Sequence, residues 1–278
     1  PPSTIFIVYG IQTEQSIGKL FISGVIPGLI LTALFIIIVA FQCWRNPKLA
    51  PAGGSTTWKE KMEGLTGIIE TVFLFLLVIL GIFLGWFSPT QAAAAGCAAT
   101  LIIGLLRRQL IWKDFWEGTL DSLKITCMIM VILGGAIVFG HFMAVAKIPM
   151  FLASWASSLA IPPWGVMAVI IIIYLIGGCF MDSLAMITLT VPIFYPTITA
   201  LGFDPIWFGV IIVLVVQMGV ITPPVGINVY VVSGIAPDVP IHTIFHGVWP
   251  YLIAMIVVSA MLIAWPQLAT FLPSFMSY

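Results

Sequence analysis

Charge is what this chain lacks. Of its 278 residues only 7% are Asp, Glu, Lys or Arg, ten acidic and ten basic, while 61% are hydrophobic and the mean hydropathy is +1.19. A soluble domain carries roughly 25% charged residues, so too few are present to cover a water-facing surface, and a soluble enzyme is excluded. Disorder is excluded as well, since it needs low hydrophobicity. A net charge of zero leaves no basic excess for nucleic acid. Cysteine is also scarce: Cys43, Cys97, Cys127 and Cys179 lie far apart, in or beside apolar runs and in no CxxC or Cys/His spacing. That excludes a zinc site and a disulfide framework, and leaves them packing roles. An intramembrane enzyme would need HExxH, paired aspartates or Ser with His; none is present, for Asp182 has no acidic partner in the membrane and His141 has no companion. What remains is an all-α, polytopic membrane protein.

Uncharged runs at 20–44, 71–106, 125–146, 148–181, 183–203, 205–237 and 239–278 are mostly long enough to cross a bilayer as helices, which takes about 20 residues. Ser88-Pro89-Thr90-Gln91 is a turn signal that divides the second run into helices near 65–87 and 90–108. The stretch 45–63, with Arg45, Pro47, Lys48, Pro51, Gly53, Gly54, Lys59 and Lys61, is a polar loop. Basic residues collect on the cytoplasmic side. Placing 45–63 inside also puts Arg107, Arg108, Lys113 and Lys124 inside, and leaves only Lys19 and Lys147 outside. The C-terminus is then periplasmic. The chain opens on Pro1 without a charged n-region or cleavage site, and is expected to be the C-terminal part of a longer one.

Two stretches repeat one design. Pro1-Pro2-Ser3-Thr4-Ile5 compares with Pro223-Pro224-Val225-Gly226-Ile227, and Gly24-Val25-Ile26-Pro27-Gly28 with Gly247-Val248-Trp249-Pro250-Tyr251. Five alternations separate the two Pro-Pro segments: crossings near 25–44, 65–87, 90–108 and 119–145, then the paired limbs of 163–200. An odd number makes the repeats inverted. Residues 1–44 are the remainder of a first repeat and 64–278 the second, with scaffold helices 65–145, a re-entrant hairpin 163–200, a broken helix 205–235, an amphipathic arm 238–247 and a final span 248–268. Inverted repeats with interrupted helices belong to secondary transporters.

The strongest local feature is Gln217-Met218-Gly219-Val220-Ile221-Thr222-Pro223-Pro224-Val225-Gly226-Ile227-Asn228 inside an apolar run. Two prolines free the carbonyls of the preceding turn, and such backbone at membrane depth is tolerated only inside protein or beside a watery cavity. The carbonyls suit a hard cation, and the amide end of the next half-helix suits an anion. The second feature, Gly177-Gly178-Cys179-Phe180-Met181-Asp182-Ser183, reads as a hairpin tip, because a lone aspartate facing lipid is costly. Glu70, near the end of its span, reads as structural. His242 and His246 have a metal-compatible spacing but no third ligand, so they read as an interfacial helix face. The ten tryptophans fall mostly near span ends, as an aromatic belt.

Together these residues resemble the large membrane subunit of tripartite ATP-independent periplasmic (TRAP) transporters over essentially the whole chain. The resemblance rests on Pro1-Pro2-Ser3, Ser16-Ile17-Gly18-Lys19-Leu20-Phe21, Ile26-Pro27-Gly28, Phe180-Met181-Asp182-Ser183 with Pro192, Asp204-Pro205 with Phe208-Gly209, and Gly219 to Asn228. It implies sodium-coupled import of small organic anions, such as C4-dicarboxylates or sugar acids, across a bacterial or archaeal inner membrane by an elevator motion. The partners it implies are a periplasmic substrate-binding protein and a small membrane subunit. Ser3, Asp182, Ser183, Pro224, Val225, Gly226 and Asn228 become expected substrate contacts. Gly178, Asp182, Gly219, Thr222 and Pro223 become expected sodium-site residues. Where the family has Thr-Pro-Thr-Glu-Ala, this chain has Ser88-Pro89-Thr90-Gln91-Ala92, so that carboxylate is absent. A carboxylate transporter or antiporter without a binding protein is the alternative.

Overall fold

The computed structural model describes residues 3–47, 57–108, 110–158 and 162–276, all in helices and short connections. In order they form α1 (Thr4–Thr13), α2 (Ile17–Ser23), α3 (Val25–Arg45), α4 (Trp58–Phe83), α5 (Pro89–Leu106), α6 (Trp112–Val145), α7 (Ile148–Ser158), α8 (Pro163–Phe180), α9 (Ser183–Ala200), α10 (Pro205–Gly219), α11 (Ile227–Ile235), α12 (Ile241–Ala264) and α13 (Gln267–Thr270). Among the described residues, six helical stretches are long and apolar enough to cross a membrane: Ile17–Arg45, Pro89–Leu106, Trp112–Val145, Pro163–Phe180, Ser183–Ala200 and Ile241–Ala264. An all-α polytopic membrane protein is therefore what the sequence folds into. Pro1, Pro2 and the centre of the 45–63 stretch lie outside the described residues.

Several helix bounds differ from those read in the sequence. Helix α4 begins at Trp58, inside the stretch read as loop, because Lys, Glu and Met are good helix formers whatever their polarity. Helix α6 begins at Trp112 and runs for 34 residues; its polar first turns continue the helix instead of preceding it. Helix α7 was not foreseen. The arm at 238–247 and the final span share one helix, α12, which carries Pro250 in its interior.

The chain divides into two compact units, with α3 and α6 running from one into the other. The unit around Val39–Ile129 pairs α4 with α5. Pro89 occupies the first turn of α5, and Ser88 and Gln91 close a capping box: the Ser88 hydroxyl accepts from the Gln91 amide at 3.3 Å, and Gln91 Oε1 accepts from the Ser88 amide at 2.9 Å. Glutamine can fill this role as glutamate does. Glu70 on α4 pairs with Arg107 at 2.9 Å, in keeping with its structural reading.

The larger unit, Pro2–Ile38 with Met130–Ser274, is built around α10. Ten of its residues between Trp207 and Gly219 are buried, so an all-round apolar sequence sits where apolar surface is covered on every side. Asp204 caps it by accepting from the Trp207 amide at 2.8 Å, and the Trp207 indole donates to the Leu262 carbonyl of α12 at 2.8 Å. Helices α8, α9, α1, α2 and α12 pack around it. This central position fixes where the C-terminal end of α10 lies.

Candidate functional site

Helix α8 ends in Gly177-Gly178-Cys179-Phe180. Two residues in extended conformation, Met181 (φ −121°, ψ 151°) and Asp182 (φ −62°, ψ 148°), then turn the chain into α9. The Asp182 carboxylate accepts from the Leu184 amide at 2.9 Å, the geometry of an N-cap. Gly177 lies against the side chain of Met186, and the rings of Tyr174 and Phe194 meet at 5.8 Å. Residues on either side of Asp182 thus face one another, so α8 and α9 are the antiparallel limbs of a helical hairpin. Asp182 at its tip is exposed and Ser183 is buried.

Helix α10 stops at Gly219, where the coming prolines remove two donors. Thr222 replaces part of the lost ladder: its amide donates to the Gly219 carbonyl at 2.9 Å and its hydroxyl to the Met218 carbonyl at 2.6 Å. The Pro223-Pro224 bond is cis. Gly226 then adopts a left-handed conformation, φ 61°, and opens α11. A side chain there would be strained by that φ and would also meet the ring of Phe245 at 2.9 Å. The Asn228 amide reaches back to the Val220 carbonyl at 3.1 Å, which folds the break into a closed loop.

Hairpin tip and break meet through backbone. The Gly226 amide donates to the Cys179 carbonyl at 3.4 Å. A Cβ added to Gly219 would lie 2.6 Å from the Cα of Gly178, and one added to Gly178 would lie 3.0 Å from the Val216 carbonyl oxygen. Neither glycine can be replaced without moving main chain. The C-terminal ends of α8 and α10 are thereby pressed together, and each end carries partial negative charge from its aligned peptides. The structure joins Gly178, Cys179, Gly219 and Gly226 at this junction; Asp182 and Ser183 follow in the turn of the hairpin, and Thr222, Pro223, Pro224, Val225 and Asn228 lie along the break. Pro223, Pro224, Asn228 and Asp182 are exposed there. Ser3 is not joined to it by any hydrogen bond among the described residues; it sits half-buried at the N-terminus of α1, and its carbonyl accepts from Ile7 at 3.2 Å.

The donor set limits the ligand. Among the described residues no three of His, Cys, Asp and Glu gather to hold a metal, and His242 and His246 are both exposed on α12. Carbonyl and hydroxyl oxygens with a single carboxylate fit a hard, weakly charged cation instead. Sequence reading missed Cys179 as the carbonyl that holds the break; only its place one residue after Gly177-Gly178 hinted at it.

Such a chain, helical throughout, repeatedly long enough to cross a bilayer and interrupted where a hairpin tip meets a broken helix, is a polytopic membrane protein with a backbone-built junction. It belongs to the DctM component family of the tripartite ATP-independent periplasmic transporters, which matches residues 1–268. The chain is 34% identical over 277 residues to the C4-dicarboxylate TRAP transporter large permease protein DctM of Pseudomonas aeruginosa, covering 99% of this chain and 64% of that protein. It is 32% identical over 280 residues to the sialic acid TRAP transporter large permease protein SiaM of Vibrio cholerae, covering 100% of this chain and 65% of that one. With the ectoine/5-hydroxyectoine permease UehC of Ruegeria pomeroyi the identity is 31% over 273 residues, 98% of this chain and 63% of the relative. The chain therefore spans a little under two thirds of the length of these relatives.

Proposed function

We propose that this chain forms part of the large permease of a sodium-coupled TRAP transporter that imports a small organic anion. The substrate is handed over by a periplasmic binding protein, and a small membrane subunit packs beside the permease. The observation that carries this reading is the backbone junction between the hairpin tip and the helix break, with Gly226 bonded to Cys179 and Gly178 against Gly219. Two C-terminal helix ends supply carbonyls for sodium, from Gly178, Gly219, Thr222 and Pro223, and Asp182 at the hairpin tip supplies the negative charge. The first turns of α9 and α11, with Ser183, Val225, Gly226 and Asn228, offer polar groups to an anion, and Ser3 contributes from the first repeat. Placing cation and anion at one junction couples them, since each lowers the electrostatic cost of binding the other.

The inverted pairing of the two Pro-Pro segments supports alternating access, in which the hairpin and the broken-helix segments of both repeats travel as an elevator against the scaffold helices. The substrates in the relatives' names range from C4-dicarboxylates to sialic acid and ectoine, which supports a carboxylate-bearing cargo without selecting one. The test is uptake by proteoliposomes holding the complete permease, its small subunit and a loaded binding protein, with sodium or potassium outside. Uptake is expected with sodium only. Thr222→Ala and Asn228→Ala should each cut it at least tenfold at unchanged expression. Equal uptake in potassium, or full sodium-dependent uptake by both variants, removes the assignment.

A further inference from the structure

A proline inside a helix leaves one carbonyl without its donor, because the ring nitrogen carries no hydrogen. In α9, Pro192 does this to the carbonyl of Thr188, four residues earlier. That carbonyl is bonded all the same: the side-chain amide of Gln12, on α1, donates to it at 3.0 Å. The opposite exchange occurs about two turns further along α9. Helix α1 ends at Thr13, and the last carbonyls of a helix have no partner within it. The Tyr195 hydroxyl donates to the Thr13 carbonyl at 3.4 Å, while Gln15 Nε2 donates to Tyr195 Oη at 3.0 Å and to the Thr13 carbonyl at 3.4 Å. The ring of Tyr9 meets that of Tyr195 edge-on at 6.3 Å, and its hydroxyl donates to the Pro205 carbonyl at the start of α10, at 2.6 Å.

Each helix thus supplies a hydrogen bond to a carbonyl that the other's backbone leaves open, with Gln15 as a second donor at Thr13. Thr13 and Thr188 are 5% and 2% exposed, so bulk water does not stand in for either partner. We infer that Gln12 and Tyr195 form a reciprocal joint that locks α1 to the proline-interrupted limb of the hairpin, so that the two helices move as one body. Gln12 is a positioning residue, which acts on the tip through α9. The hydroxyl of Thr188 is buried without a partner, so the joint runs through that residue's backbone, not its side chain.

The test is a double-mutant cycle in the full-length permease, in lipid nanodiscs, read by hydrogen exchange of the amides in α1 and α9. Gln12→Met keeps the length of the side chain and removes the donor; exchange over 188–194 is expected to rise about tenfold, the fold-change of one buried hydrogen bond left unmade. Pro192→Ala returns an amide hydrogen to the Thr188 carbonyl, so Gln12→Met added to it should change exchange by less than about twofold. Tyr195→Phe should speed exchange at the α1 end, and Thr188→Val should leave both helices unchanged. The joint is overturned if Gln12→Met has the same effect with and without the proline, if it has none in either, or if Thr188→Val matches it. Should Gln12→Met not fold, the shorter Gln12→Asn takes its place in the cycle. Uptake forms a second arm, in which Gln12→Met lowers the maximal rate with little change in KM. This arm rests on the function proposed above, whereas exchange does not: no uptake by the wild-type complex, with the exchange cycle intact, rejects the transport reading and keeps the joint.

Discussion

Two glycines and an aspartate carry most of the argument at the level of single residues. Since a Cβ at Gly219 would meet the main chain of Gly178, Gly219→Ala forces two helix ends apart. Overpacking of this kind costs about 1–3 kcal/mol, and we expect a lowered thermal midpoint together with loss of uptake. Retained uptake at wild-type rate would mean that the close approach is not needed. Asp182 has two separable duties, as cap of α9 and as the charge at the tip. Asp182→Asn keeps a good N-cap and removes the charge; stability should hold while the sodium concentration for half-maximal uptake rises several-fold. Unaltered sodium dependence would reduce Asp182 to a cap. Asp182 and Gly178 were legible in the sequence because a polar group or a glycine pair inside an apolar run is conspicuous, and Gly219 because it opens the stretch that leads to Pro223-Pro224. Gln12 and Tyr195 were not, since nothing about a glutamine in a short helix says that its partner lies 176 residues further on. Pro192 gave the one local signal, an orphaned carbonyl needing a donor from elsewhere.

At the level of elements, the sequence marks interruptions better than it marks ends. The Ser88-Pro89 turn, the hairpin around Asp182 and the break before Gly226 all appear where glycine, proline and capping residues stand. The starts of α4 and α6 were missed because charged residues are equally at home in loops and in the polar turns of a helix, and α7 because its 11 residues fall short of the length that marks a span. Gln91 shows how a substitution in a family motif can preserve its job, for a neutral amide completes the capping box that a glutamate would close. Gln91→Glu is therefore expected to leave stability unchanged within a few tenths of a kcal/mol, whereas Ser88→Ala costs about 1 kcal/mol. Thermal unfolding of the two variants in the same detergent checks this, and an equal loss in both would dissolve the capping account.

At the scale of the whole molecule, the basic residues predict an orientation. With native cysteines replaced by serine, Lys113→Cys should react with a membrane-impermeant thiol reagent only from the cytoplasm, and Lys147→Cys only from outside. Reaction from the opposite faces would reverse the topology, and reaction of both from one face would remove a crossing and undo the inverted pairing of the repeats. That the chain is polytopic was legible because hydropathy is additive along the chain; the joint between α1 and α9 was not, because it depends on which helices become neighbours. The junction of Gly178, Gly219, Cys179 and Gly226 has one more consequence. Its contacts are main chain to main chain, and main chain is the same whatever residues surround it. A junction of that kind places little demand on the side chains at its rim, so residues such as Phe180, Ser183 and Asn228 are free to vary while the main-chain contacts of Gly178, Cys179, Gly219 and Gly226 are kept.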